Sequence, residues 1–109
     1  MSSSLAQILT ALRKEQRLAL ALPVKIYTLE TAAIPEWSCT YEVSRQGLRL
    51  KQVPGVEMGQ EIWIQRHNRK AKYRVVWLGQ PETDRAGQMG AQCLEEKVIW
   101  EDAVQGRLC

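Results

Sequence analysis

Two arginines, Arg13 and Arg17, and a short cluster of Glu42, Ser44 and Gly47 are where this 109-residue sequence has residue types and spacing suited to chemistry. A guanidinium presents several planar N–H donors in fixed geometry. Two of them at i and i+4 converge on one point and suit a phosphate or the acceptor edge of a guanine. The segment Arg13-Lys14-Glu15-Gln16-Arg17 has that spacing, as a helix end or as a wrapped loop. Its plainer reading is a pair of exposed cations near a helix C-terminus, where the dipole favours them. Glu42 and Ser44 lie two apart, so a strand would put carboxylate and hydroxyl on one face. Together they could read the edge of a small ligand, with Gly47 allowing a turn or a close backbone approach. Ser and Gly are equally ordinary turn residues.

Enzyme chemistry is hard to assemble from the remaining residues, and no catalytic residue is assigned. His67 is the single histidine and sits in His67-Asn68-Arg69, which reads as a hairpin turn. Ser44 lacks a His or acid arranged for nucleophilic attack, and Ser-x-x-Gly is no nucleophile elbow. Cys39, Cys93 and Cys109 with His67 form no Cys-x-x-Cys or paired-His spacing, so neither a metal nor a cofactor is expected. An odd number of cysteines at no recurring interval points to a reducing compartment rather than a disulfide framework. With no apolar run long enough to span a membrane and no secretory leader, the expectation is a cytoplasmic protein.

The elements that must position these groups are short. With 45% hydrophobic residues, the chain suits one compact domain. Leu5, Ile8, Leu9 and Leu12 fall at helical spacing behind the serines at 2–4, predicting a short amphipathic helix over residues 4–14. From Leu18 onward the period changes to two. Strands are predicted over 21–29, 37–43, 48–53, 60–67, 70–78 and 88–94, separated by Gly- and Pro-bearing turns at Pro54-Gly55, Met58-Gly59 and residues 79–87. Residues 97–104 read as a short helix or coil holding Trp100. Six strands without a long helix between them argue for antiparallel hairpins closing into a small barrel or sandwich. Trp37, Trp63, Trp77 and Trp100 are assigned to core and rim, and Ala71, Tyr73, Val75 and Trp77 to one strand face.

The net charge of +3 is unevenly spread, with a basic stretch over residues 45–74 and an acidic excess after Pro81. Such a distribution favours a local anionic partner. Arg66, Arg69, Lys70, Lys72 and Arg74 lie beside Trp63, Tyr73 and Trp77, but the aromatics alternate with the cations and can point inward as core. No DNA or RNA partner is expected.

In order and spacing, Arg13-x-x-x-Arg17 before the first strand and Glu42-x-Ser44-x-x-Gly47 one hairpin later resemble the PilZ domain family. Gly59-Gln60-Glu61-Ile62, Arg74-Val75-Val76-Trp77-Leu78-Gly79 and Gly90-Ala91-Gln92-Cys93-Leu94 extend the resemblance over most of residues 12–100. It implies an all-β fold, a six-stranded antiparallel β-barrel with a short N-terminal helix and a short C-terminal helix or coil. The implied division is an Arg-bearing segment at 1–17, the barrel at 18–104 and a tail at 105–109. It also implies a cyclic di-GMP receptor that signals, through ligand-induced ordering of its N-terminal Arg segment, to a protein effector. Arg13 and Arg17 would pair with phosphate oxygens and guanine edges. Ser44 would bond a base or phosphate, and Gly47 would permit close approach. Glu42 stands where the family has Asp or Asn. Unless the strand shifts, its extra methylene displaces the carboxylate by more than about an ångström, enough to lose a hydrogen bond and weaken binding by roughly tenfold to a hundredfold. The alternative is a PilZ barrel that binds no nucleotide and serves as a protein-interaction adaptor.

Overall fold

The computed structural model describes residues 17–28 and 35–103; the helix expected at 4–14, Arg13 and the tail at 105–109 lie outside them. Six strands follow in chain order: β1 (Pro23–Tyr27), β2 (Glu36–Val43), β3 (Gly47–Lys51), β4 (Glu61–Arg66), β5 (Arg69–Leu78) and β6 (Gln88–Cys93). Each begins and ends within two residues of its sequence expectation. Every neighbouring pair is antiparallel, in the order β1-β2-β3-β6-β5-β4, and β4 pairs back onto β1 to close a barrel. Closure leaves no sheet edge to be covered.

The two-residue period decides what faces inward. Val24 and Ile26 of β1, Leu48 and Leu50 of β3, Ile62 and Ile64 of β4, and Ala71, Tyr73 and Val75 of β5 fill the interior, while their neighbours face out. Turn chemistry follows the sequence: Gly55 and Gly59 both take positive φ, at 79° and 85°. Arg66 also points inward, a cation among apolar neighbours. Its Nη1 donates to Asp102 Oδ1 at 2.6 Å, so the strand ties down the segment that follows β6. That segment carries Ile99 and Trp100, both fully buried, and enters a helical turn described over residues 101–103.

Two bulges break the period. In β2, Thr40 pairs with Leu50 and Glu42 with Arg49, so Tyr41 is the extra residue. In β5, Val75 pairs with Ala91 and Trp77 with Gly90, so Val76 is extra. A bulge shifts every later side chain to the opposite face. Trp77 therefore leaves the inward face shared by Ala71, Tyr73 and Val75 and lies on the outer wall over Gly90, where a Cβ would collide with the indole. The assignment of the tryptophans to core and rim needs a second correction. Trp37 is 61% exposed, because it precedes the β2 bulge on the outward register, next to Lys25.

Candidate functional site

The lead into β1 is fixed by hydrogen bonds that the apolar pattern does not reveal. Leu18 and Val43 exchange backbone bonds of 2.8 and 2.9 Å. The buried Thr40 hydroxyl donates to Leu20 C=O at 2.6 Å and accepts from Leu22 N–H at 2.9 Å. This short pairing carries Arg17 to the end of β2, where its Nη1 lies 3.7 Å from Glu42 Oε1. Arg17 is 69% exposed, and a pair of that kind contributes only about 0–1 kcal/mol. Its guanidinium is free to take another acceptor at small cost.

Glu42 has a second partner across the hairpin. Arg49 Nε donates to Glu42 Oε1 at 3.4 Å and Arg49 Nη1 to Gln88 Oε1 at 2.8 Å, while its guanidinium lies 5.5 Å from the Tyr41 ring centre. The hydrogen bond from Arg49, with the charges of Arg49, Arg17 and Arg85, outweighs desolvation and holds the Glu42 carboxyl below its ordinary value.

Ser44 follows the last residue of β2 and so belongs to the turn, not to a strand face shared with Glu42. Its N–H donates to Gly47 C=O at 2.9 Å, and its Oγ accepts from Gly47 N–H at 3.1 Å. The hydroxyl thus braces the turn that forms one lip of the site. The indole N–H of Trp100 donates to Ser44 C=O at 3.3 Å and supports the turn from beneath. Gly47 is required by its neighbour strand: a Cβ there would sit 2.5 Å from Ala91 O across the β3–β6 ladder.

These groups border one open cleft of about 590 Å³ on the outer wall, within the size range of small-ligand sites. Arg17, Glu42, Ser44 and Gly47 all line it, as do Arg49, Trp77 and Arg85. Three guanidinium groups against one carboxylate give its lining a net positive charge suited to an anion, and the indole of Trp77 offers an apolar flank. Among the described residues no cluster of His, Cys, Asp and Glu could hold a metal ion, and no helix is long and apolar enough to cross a membrane.

No family model matches the sequence, and no curated protein matches it either. Solved structures do. The Bacillus subtilis inhibitor of motility MotI/DgrA aligns with 84% of this chain at 14% identity and a TM-score of 0.59. The PilZ domain of CeSA from a cellulose-synthesizing bacterium aligns with 84% of it, also at 14% identity, with a TM-score of 0.55. The fold is that of a PilZ domain. This chain spans 49% of the motility inhibitor and 92% of the CeSA PilZ domain. On this PilZ-fold barrel, Arg49, Trp77, Arg85 and Gln88 border or brace the cleft, although the sequence pattern assigned none of them to it. Arg49 was within reach of it: it stands two residues after Gly47 on β3, on the same face as the glycine. Trp77 was not, because only the bulge at Val76 turns it outward.

Proposed function

We propose that this chain is a non-enzymatic receptor domain for cyclic di-GMP, taking the nucleotide in the cleft of the outer wall and signalling to a protein effector. What supports the reading is the convergence of Arg17, remote in sequence, with the Glu42, Ser44 and Gly47 cluster on one anion-suited cleft. Arg17 would leave Glu42 for a phosphate oxygen, and Arg13 would follow it over the ligand, repositioning the N-terminal segment. That repositioned surface is what an effector would read.

The test is isothermal titration with cyclic di-GMP of the wild-type chain, Arg17→Ala and Glu42→Asp. The receptor reading expects micromolar or tighter binding, a loss of about tenfold or more without Arg17, and tighter binding with Asp at 42. Unchanged affinity in Arg17→Ala would move the site elsewhere. A second reading, an adaptor barrel that binds protein alone, rests on Glu42 itself. Its carboxylate already pairs with Arg17 and Arg49, as a bound anion would. Absence of heat at high ligand concentration would favour that reading.

A further inference from the structure

The barrel carries a second built surface, away from the cleft, on the outer wall formed by β2, β1, β4 and β5. Inward pointing of Arg66 and Tyr73 removes both from any nucleic-acid surface. Trp63, however, faces outward with Lys70 and Lys72, and the neighbouring strands add Tyr27, Lys25 and Trp37. Strand pairing sets these six in rows: Trp37 is opposite Lys25, Lys25 opposite Gln65 and Gln65 opposite Lys70, while Tyr27 is opposite Trp63 and Trp63 opposite Lys72. Four neighbouring strands make a face about 14 Å wide.

On this face ammonium groups and ring faces are matched. Lys25 Nζ lies 5.1 Å from the Trp37 ring centre, Lys70 Nζ 5.5 Å from Tyr27 and 5.2 Å from Trp63, and Lys72 Nζ 5.2 Å from Trp63. The carboxylate of Glu61 on this wall is held by Arg74 at 3.1 Å and Lys72 at 3.8 Å, which leaves the face cationic. An anionic membrane would satisfy the ammonium groups but offers no planar partner for the rings. A single-stranded nucleic acid satisfies both halves of each pair, a base on the ring and a phosphate on the ammonium.

We infer that the Trp37–Trp63 wall binds single-stranded nucleic acid, independently of the cleft and without base-specific readout. The probe is a fluorescein-labelled oligouridine of about 15 nucleotides, titrated with the full chain and followed by anisotropy. Binding is expected in low salt, with log K falling against log salt at a slope of about −2, as about three lysine–phosphate contacts require on a single strand. Trp63→Ala is expected to weaken it about tenfold through the lost stacking. The paired change Lys25→Glu and Lys70→Glu is expected to abolish it while leaving a folded chain, because both side chains lie on the outer wall. No binding at 50 mM salt would overturn the inference. So would affinity indifferent to Trp63→Ala, displacement of the oligonucleotide by excess cyclic di-GMP, or binding confined to phosphatidylserine vesicles.

Discussion

Glu42 joins more charged groups than any other residue at the cleft, and its titration exposes what it does for the fold. Its folded pKa lies below the ordinary 4.5, chiefly because Arg49 donates to the carboxylate. A depressed folded value means stability that is fully present above the unfolded pKa and is lost as pH falls through the folded one. Glu42→Gln should therefore cost about 1 kcal/mol at pH 7, and that cost should shrink as pH falls through the folded pKa and Glu42 itself takes up a proton. Urea unfolding of both proteins at pH 7 and pH 3 checks this. A difference that persists unchanged at pH 3 would mean that shape, not charge, holds Glu42 in place. The pairing also explains why the acid-x-Ser-x-x-Gly spacing was legible but incompletely understood. The sequence displays Glu42, Ser44 and Gly47 plainly. It does not display that Ser44 spends its hydroxyl on Gly47 N–H, or that Gly47 is glycine because Ala91 O lies against it.

At the scale of elements, most strands were legible because burial alternates with period two along β1, β3 and β4 and along β5 as far as its bulge, from Val24 and Ile26 through Ile62 and Ile64. The bulges at Tyr41 and Val76 were not, since an extra residue leaves no mark in residue type. The role of the segment after β6 was equally hidden. Trp100 reads as another core aromatic, yet its indole N–H joins the Ser44 turn, and Asp102 neutralises the inward Arg66. Burial raises the Asp102 pKa, but the hydrogen bond and charge of Arg66 oppose it and leave the net shift downward. Breaking this pair leaves a guanidinium only 9% exposed without its carboxylate. Because Asp102 itself is 40% exposed, the expected cost of Asp102→Asn is about 1–3 kcal/mol, less than for a wholly buried pair. The same change should release Trp100 and speed hydrogen exchange at the Gly47 amide, which Ser44 Oγ protects. Unaltered exchange there, with stability lowered, would show that the segment and the cleft turn are uncoupled.

At the scale of the whole molecule, a closed barrel leaves ligand binding little to rearrange. All six strands are paired on both sides, so the wall cannot open without breaking a ladder. Binding must therefore act on what lies outside the ladders, the Arg17 lead and the 80–87 loop that brings Arg85 to the cleft, and must add its free energy to the folded state. On the proposed receptor function, cyclic di-GMP at a hundredfold excess over Kd should stabilise the barrel by about 2.7 kcal/mol, which for a domain of this size raises Tm by roughly 10–20 °C. The cleft is bordered by the end of β2, with β3, β6 and the far end of β5, whereas the Lys25 and Lys70 face looks out on the other side of β1 and β4. Sites so separated with no shared partner are additive. The double variant Lys25→Glu, Lys70→Glu should accordingly keep the full thermal shift with cyclic di-GMP while losing the oligonucleotide. A shift that shrinks in parallel with oligonucleotide binding would mean that one site serves both ligands, and the two walls would have to be treated as a single surface.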